Sequence, residues 1–373
     1  MTVRIAIDVR KLHDFGIGTY VSNLVRQLAR LDRRTEYVLL TRPEDADQIA
    51  ELGPNFRPVP LRAPNYSVRE QVAVPLSLSR TGATLFHAPH YVLPPLTPCR
   101  TVVTIHDCIH LRFPQYLPNR LAHAYAWSQC WAATRRARRI LTVSQASKED
   151  ILHFFGIPES RVTVIPNAID DRFHAPCTEE AMVRVRERYQ LPERFIMYAG
   201  NVKPHKNLER LIDAYVAVRR RGFEDVGLLL TGSEVSRYSM LRRAVHRHHL
   251  HRHVRFLGYQ TIETLAVLYH LAEVFVFPSL YEGFGLSPLE ALACGTPVVA
   301  SNVSSLPEVL GDAAVLVDPH DPEAIAEGIT VLLEDAGLRA ALQQKGLERV
   351  GHFSWEQSVR RVRRIYEEIE ADT

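Results

Sequence analysis

Several features that are common in other protein classes are scarce or absent in this sequence of 373 residues. Its five cysteines are odd in number and form no CxxC pair, which argues against structural zinc and disulfides and for a reducing compartment. No apolar run approaches the ~18 residues of a transmembrane helix. The N-terminus, MTVRIAIDVRK, resembles a strand followed by charges rather than a signal peptide. The formal net charge is only +3, too small to indicate a nucleic-acid partner. We therefore expect a cytosolic protein.

The remaining composition is ordinary for an α/β protein, with 46% hydrophobic and 23% charged residues. Apolar strands alternate with amphipathic helices from Arg4–Val9 onwards. After a polar stretch at residues 167–192, the alternation restarts at Phe195–Ala199. This pattern and the chain length predict two doubly wound parallel sheets, each with a ligand crevice at the carboxyl ends of its strands.

The most informative stretch is SLYEGFGLSPLEALACGTPVVAS, residues 279–301. It follows a predicted buried strand at Val274–Phe277. Gly283 and Gly285 then allow either a backbone path open only to glycine or a close approach to a ligand. A helix is predicted to follow, with Ser287 as its N-cap. The turn would bring free N–H groups and a positive dipole end to the sheet edge, which favours an anionic ligand.

Two carboxylates, Glu282 and Glu290, flank this turn and lie eight positions apart. Each has a plain alternative: Glu290 could complete a capping box with Ser287, and Glu282 could be a solvated loop charge. Together they resemble the Glu-x7-Glu signature of family 4 retaining glycosyltransferases, which use nucleotide sugars and have the GT-B architecture.

The resemblance extends over nearly the whole chain and implies two Rossmann-like domains facing across a cleft. Residues 1–173 would form the acceptor-side domain and residues 174–355 the nucleotide-sugar domain. The helix at 356–373 would pack back on the first domain. The opening IDVRKLHDFGIGTY and the loop FHAPHYVLP resemble bacterial mannosyltransferase-like members most.

The resemblance also implies roles for individual residues. The catalytic group would be His106, Lys206 and Glu282. The donor-binding group would be Gly16, Ile17, Gly18, Asn201, Lys203, His205, Gly258, Tyr259, Gly283, Phe284, Gly285, Leu286, Ser287 and Glu290. The acceptor side would include His90, Tyr91 and Asp107.

The glycines at 16 and 18 open a helix, and this pattern has three interpretations. It resembles the glycine loop whose N–H groups approach the donor diphosphate. It could be a plain helix-starting turn. A dinucleotide fingerprint fits poorly, because Val21 replaces the third glycine and Glu36 lies at the start of the second strand rather than at its end.

The loop GNVKPHKN, residues 200–207, follows one predicted strand and precedes a helix. Family members usually place an Arg and a Lys on the diphosphate there. Lys206 matches, but Asn201 and His205 stand where many members have Arg. The sequence leaves open whether His205 or Lys203 supplies the second cation, or whether the lysines are solvated loop charges.

In the stretch VVTIHD, His106 and Asp107 follow a predicted buried strand, and His106 could be a structural histidine. The resemblance implies instead that it contacts the donor sugar and stabilises charge at the reacting carbon, with Asp107 orienting it or capping the next segment. In VRFLGYQ, Gly258 and Tyr259 would present backbone groups to the base, although Tyr259 fits a core position equally well.

Two charged runs have competing interpretations. The histidines at 246–253 suggest metal binding or, more simply, a solvated helix end. The arginines at 135–139 suggest a membrane-facing patch or a helix C-terminus that favours cations.

The resemblance predicts retaining transfer of a hexose, mannose from GDP-mannose as the first choice, to a glycan or lipid-linked sugar in cell-surface polysaccharide synthesis. It implies no metal and no cofactor beyond the nucleoside diphosphate sugar, which is the donor substrate. A peripheral contact at the inner membrane face would suit a lipid-linked acceptor. The alternatives are a UDP-sugar-dependent glucosyl- or GlcNAc-type transferase, a sugar-nucleotide 2-epimerase and an inactive nucleotide-sugar-binding subunit.

Overall fold

The computed structural model of this protein describes residues 3–14, 16–233 and 238–372; Phe15, within the quoted IDVRKLHDFGIGTY, lies outside the described residues. The chain divides into two compact units, Met1–Asn167 with Ser354–Thr373 and Ala168–Phe353. Each unit contains one sheet, in which the paired strands are parallel. The predicted pair of doubly wound α/β sheets is therefore confirmed.

The first unit carries a seven-stranded sheet in the order β3-β2-β1-β4-β5-β6-β7. Its strands are β1 (Arg4–Asp8), β2 (Glu36–Thr41), β3 (Phe56–Pro60), β4 (Leu85–Ala88), β5 (Arg100–Thr104), β6 (Arg139–Thr142) and β7 (Val162–Val164). The helices between them are α1 (Ile17–Leu31), α2 (Ala46–Ala50), α3 (Val68–Thr81), α4 (Ile109–Arg112), α5 (Arg120–Arg136) and α6 (Gln145–Phe155).

The second unit carries a six-stranded sheet in the order β10-β9-β8-β11-β12-β13. Its strands are β8 (Phe195–Ala199), β9 (Gly227–Thr231), β10 (Val254–Gly258), β11 (Val274–Phe277), β12 (Val298–Ser301) and β13 (Val315–Val317). Its helices are α7 (Glu179–Tyr189), α8 (Leu208–Arg220), α9 (Ser239–Arg247), α10 (Ile262–Leu271), α11 (Leu286–Ala293), α12 (Leu306–Leu310), α13 (Pro322–Glu334) and α14 (Ala336–Val350). The last helix, α15 (Trp355–Ala371), belongs to the first unit.

The strand order reverses between β1 and β4 in the first sheet and between β8 and β11 in the second. In doubly wound sheets, neighbouring loops leave the carboxyl ends of the strands on opposite sides at such a reversal, and this opens a crevice for ligands. The loops after β1, β4, β8 and β11 are therefore the first places to look for a site.

Helices α3, α5 and α6 cover one face of the first sheet, because residues of all three pack into a single core cluster with the strands. That cluster includes Val74, Leu78, Cys130, Ala133, Ile151, Phe155, Ala6, Phe86, Val103 and Ile140. Of the four arginines in the basic run, only Arg135 and Arg136 end a helix; Arg138 follows α5 and Arg139 begins β6. No described helix is both long and apolar enough to cross a membrane.

A buried chain of polar side chains anchors α15 to the first sheet. The ring of His87, on β4, joins the Tyr366 hydroxyl at 2.5 Å and the Thr104 hydroxyl at 2.8 Å. The Thr104 hydroxyl in turn lies 3.2 Å from the Tyr20 hydroxyl on α1. Burial lowers the pKa of His87 to about 3, so the imidazole stays neutral and both of its nitrogens are hydrogen-bonded.

Candidate active site

The turn between β11 and α11 depends on Gly285. Its φ of +100° is left-handed, and a Cβ there would lie 2.7 Å from Leu306 Cδ2, so only glycine fits. Gly285 is the N-cap of α11, which begins at Leu286 without a side-chain cap. The predicted N-cap at Ser287 is therefore wrong, because the left-handed glycine starts the helix earlier than the serine. The positive end of the helix faces the loop.

Two serines hold the backbone of this turn in place. The Ser304 hydroxyl donates to the Glu282 carbonyl at 2.5 Å, and the Glu282 N–H lies 3.1 Å from the same hydroxyl oxygen. Ser305 donates to the carbonyls of Glu282 at 3.0 Å and Phe284 at 2.9 Å. Neither serine was predicted as a site residue, although their place just after β12 puts them at the same sheet edge. They fix the backbone on either side of Gly283.

The centre of the second unit's site is an ion pair between two residues that the sequence assigned to catalysis. Lys206 Nζ lies 2.5 Å from Glu282 Oε1, and each side chain is only 12% exposed. The same ammonium lies 5.1 Å from the centroid of the Phe277 ring. Such a sheltered pair holds both groups in a defined position, and removing one partner leaves the other as an uncompensated charge.

The loops that carry the pair are tied to each other. The Leu280 N–H donates to the His205 carbonyl at 2.7 Å. The Asn207 amide donates to the carbonyls of Pro278 at 3.0 Å and Pro319 at 2.7 Å. Because these loops leave β8 and β11, the pair lies at the strand-order reversal of the second sheet.

The other predicted residues of the 200–207 loop differ in their surroundings. Gly200 has a φ of +154°, and the Tyr198 hydroxyl donates to the Asn201 carbonyl at 2.9 Å. His205 is buried, whereas Lys203 is exposed. Lys206 is thus the cation of this loop that the fold holds against Glu282.

Glu290 lies on α11 and meets Tyr269 of α10. The Tyr269 hydroxyl donates to Glu290 Oε2 at 3.1 Å. Desolvation raises the pKa of Glu290 to about 7, with a further contribution from the Asp170 carboxylate. The capping-box interpretation of Glu290 is wrong, because α11 has no side-chain cap and Glu290 bonds Tyr269 instead.

Strand β10 ends at Gly258, and Tyr259 follows it. Gly258 has a φ of +68°, and its carbonyl accepts from the Gly232 N–H and the Thr231 hydroxyl, both at 2.8 Å. The Gly258 carbonyl is thus hydrogen-bonded within the protein. Tyr259 is 68% exposed, so its interpretation as a core residue is wrong and its ring is open to a ligand.

The predicted residues of the first unit begin with the turn that opens α1. Gly16 is the N-cap, with a φ of +65°. A Cβ at Gly18 would lie 2.3 Å from the Leu12 carbonyl oxygen, so this second glycine is required by the close approach of the preceding loop. Ile17 is the first residue of α1.

His106 follows β5 and is held from two sides. Its Nε2 lies 2.9 Å from the Pro89 carbonyl, to which it donates, and its ring packs edge-on against Tyr20 with centroids 4.9 Å apart. Burial lowers the pKa of His106, so the imidazole is neutral near pH 7 and its Nδ1 is an acceptor. Its neighbour Asp107 accepts from the N–H of Ile109, the first residue of α4, at 3.0 Å, although the N-cap position itself is Cys108.

His90 and Tyr91, after β4, lie near residues that our sequence analysis did not single out. The Tyr91 ring centroid is 6.0 Å from that of Tyr66 and 6.3 Å from that of His110. His90 Nδ1 accepts from the Val92 N–H at 3.1 Å. These side chains lie at the carboxyl edge of the first sheet, beside its strand-order reversal.

One group in the described ranges 3–14, 16–233 and 238–372 has metal-ligand spacing, namely Asp8, Glu70 and His90. The Arg10 guanidinium already fills it, with Nη2 2.5 Å from Asp8 Oδ2 and 2.6 Å from Glu70 Oε1. These residues therefore form a buried ion cluster rather than a cation site. The histidines at 246–253 form no such group within the described ranges.

Comparison with known proteins gives two family matches. Residues 183–349 match the model described as glycosyl transferases group 1, and residues 16–173 match glycosyltransferase family 4. The O-antigen chain mannosyltransferase B of Escherichia coli is 32% identical over 356 residues, which cover 91% of this chain and 93% of that protein. The serotype-specific mannosyltransferase WbdA of Escherichia coli is 31% identical over 69% of this chain, which matches 32% of its length.

Two solved structures share the fold of this chain. The sucrose-phosphate synthase of Thermosynechococcus elongatus superposes with a TM-score of 0.81 and 26% identity, covering 100% of both chains. Anabaena HepE in complex with UDP and glucose has a TM-score of 0.79 and 17% identity over 98% of this chain and all of that one.

We predict that Glu290→Gln stabilises the ligand-free protein at pH 8 and has little effect at pH 5. A carboxyl whose pKa is raised on folding contributes its full stability below about 4.5 and loses it as the pH rises through about 7. The glutamine carries no charge to desolvate and can still accept from Tyr269. The expected gain at pH 8 is roughly 1–3 kcal/mol, measured by thermal unfolding at both pH values.

The matched control is Glu327→Gln, which changes an exposed carboxylate on α13 and should give no pH-dependent difference. An equal shift in unfolding temperature at pH 5 and pH 8 for Glu290→Gln would contradict a desolvated carboxyl at this position.

Proposed function

Because this chain belongs to the group 1, family 4 glycosyltransferases and has their GT-B fold, we propose that it transfers mannose from GDP-mannose to a glycan or lipid-linked sugar, with retention of configuration. The observation that carries the proposal is the Lys206–Glu282 pair, held beside the glycine turn at the strand-order reversal of the second sheet. The choice of mannose rests on the O-antigen mannosyltransferase that resembles the chain over nearly its full length. By the same analogy, the product would contribute to cell-surface polysaccharide.

In the proposed mechanism the donor diphosphate replaces Glu282 as the partner of the Lys206 ammonium. Glu282 then accepts hydrogen bonds from hydroxyls of the donor sugar. The N–H groups at the start of α11 add positive potential near the phosphates. Glu290, once ionised, accepts from the ribose hydroxyls. Pre-arranged charge of this kind stabilises the departing group without reorganisation during the reaction.

The bond from the anomeric carbon to the phosphate oxygen breaks, and its electron pair leaves on the diphosphate. The acceptor hydroxyl then attacks from the same face and forms the new glycosidic bond, while its proton passes to the phosphate oxygen. The proposal therefore needs no protein acid–base pair. It needs no metal either, because Lys206 and backbone N–H groups balance the phosphate charge.

We propose in addition that α5 touches an anionic membrane surface, where a lipid-linked acceptor would be found. Its outward face shows Leu121 at 81% exposure and Trp127 and Trp131 at 43% each, with the two indoles stacked. The chain has no acidic residue between Asp107 and Glu149, while Arg120 and Arg135 border this face. Interfacial tryptophans flanked by arginines suit a headgroup layer.

The donor is tested by thermal shift and turnover. GDP-mannose should raise the unfolding temperature selectively, because a ligand that binds only the folded state stabilises it by mass action. With methyl α-D-mannopyranoside as acceptor, an α-linked disaccharide should form, identified by NMR. A selective shift with UDP-glucose or UDP-GlcNAc would point to the UDP-sugar alternative. Release of an epimerised sugar nucleotide without acceptor would point to the epimerase, and binding without turnover to an inactive subunit.

We predict that Lys206→Ala lowers kcat by roughly 100-fold or more, by analogy with the loss of an oxyanion donor. Lys345→Ala is the control, because this exposed lysine of α14 pairs with Asp312 and should leave kcat unchanged. Normal turnover in Lys206→Ala, with the fold verified by circular dichroism, would remove Lys206 from the mechanism.

The membrane contact predicts that the protein floats with vesicles containing phosphatidylglycerol and not with neutral phosphatidylcholine vesicles. Replacing both Trp127 and Trp131 by serine should reduce flotation severalfold, since the indoles supply the apolar contact. Equal flotation of the variant and the native protein would exclude α5 as the contact.

A further inference from the structure

Tyr66, in the loop between β3 and α3, has a backbone conformation that bulky residues rarely adopt. Its φ is +62°, in the left-handed region where turns favour glycine or asparagine. Its side chain is nevertheless large and 43% exposed. A strained residue of this kind persists only where the surrounding structure holds it in place.

The buried ion cluster of Asp8, Arg10 and Glu70 holds Tyr66 in this conformation. The Tyr66 N–H donates to Glu70 Oε2 at 2.7 Å, and the other oxygen of Glu70 accepts from Arg10 at 2.6 Å. Arg10 also donates to the Ala63 carbonyl, at 3.0 Å, and is anchored on Asp8. Asp8, Arg10 and Glu70 are all buried. Burying three charges is unfavourable unless they are well paired. The bonds from the Tyr66 N–H to Glu70 and from Arg10 to the Ala63 carbonyl hold the loop that carries Tyr66.

The Tyr66 ring is positioned as firmly as its backbone. Lys11 Nζ lies 4.3 Å from the ring centroid and is itself anchored by Asp14 at 2.8 Å. The Tyr91 ring stands beside it, with centroids 6.0 Å apart and planes tilted by 37°. Tyr66 thus shows an exposed, fixed ring next to Tyr91 at the strand-order reversal of the first sheet.

We propose that Tyr66 is a sugar-stacking residue for the acceptor, with its ring against the apolar C–H face of a terminal pyranose. This inference rests on the proposed function, together with the acceptor-side role that the family resemblance implies for His90 and Tyr91. A pyranose has an apolar C–H face, and the aromatic ring of a tyrosine offers the matching apolar surface. The ion cluster acts as a positioning group: it holds the loop and does not touch the sugar.

The test separates strain from binding, because glycine relieves the first and removes the second. In Tyr66→Gly, the KM for methyl α-D-mannopyranoside should rise about tenfold, the equivalent of one lost aromatic contact. The unfolding temperature should stay equal or rise, since glycine adopts this φ without strain. The kcat and the KM for GDP-mannose should change less than twofold. Tyr66→Phe should keep the native acceptor KM.

His249→Gly is the matched control, because His249 also has a left-handed φ, of +55°, and is exposed in the second unit. It should leave the acceptor KM unchanged. A native acceptor KM in Tyr66→Gly would overturn the proposal, and so would an equal rise in the acceptor and donor KM values.

A second measurement does not depend on turnover or on the donor. Saturation-transfer difference NMR of the unliganded protein with methyl α-D-mannoside, α-D-glucoside and β-D-galactoside should show ring-proton signals for at least one pyranoside. Those signals should be lost in Tyr66→Gly and kept in Tyr66→Phe. If GDP-mannose fails as donor while these signals behave as expected, the proposed donor falls and the stacking site stands. No signal from any of the three pyranosides with the native protein would overturn the stacking site.

Discussion

The ion pair between Lys206 and Glu282 is the interaction on which the second unit's site depends. It joins loops that leave β8 and β11, the strands between which the sheet order reverses, and a backbone bond from Leu280 to His205 holds the same loops together. Because the pair is sheltered, its desolvation is part of folding rather than of substrate binding. In the proposed mechanism, a donor that brings phosphate oxygens and sugar hydroxyls would offer each partner a replacement, and both groups would already be in position.

Much of this architecture was predictable because its signals are local. Strand and helix periods repeat along the chain, and a glycine-rich turn between a buried strand and a helix indicates where the polar edge lies. The exact start of α11 was not predictable, because Gly285 and Ser287 are both acceptable N-caps. The left-handed backbone of Gly285, set by the tertiary structure, decides between them. Ser304, Ser305 and Tyr269 carry no local signal, since their partners lie about twenty residues away in the sequence.

The groups at the carboxyl edge of the sheet are held in place differently in the two units. In the second unit, glycine and serine shape a backbone turn around a charged pair. In the first unit, the buried carboxylates of Asp8 and Glu70 both bond the buried Arg10 guanidinium, and aromatic rings stand at the sheet edge with Lys11 beside Tyr66. Tyr66 could not be predicted from the sequence, because its importance follows from a left-handed φ and from Glu70, both set by tertiary structure.

This difference in charge agrees with a division of labour between donor and acceptor. His106 is neutral, because burial lowers its pKa and its Nε2 proton is committed to the Pro89 carbonyl. It therefore offers an acceptor nitrogen and an aromatic ring rather than a positive charge. In the proposed mechanism the positive groups that face the diphosphate are Lys206 and the start of α11, both in the second unit. A neutral acceptor sugar needs no such charge, and fixed aromatic rings suit it better.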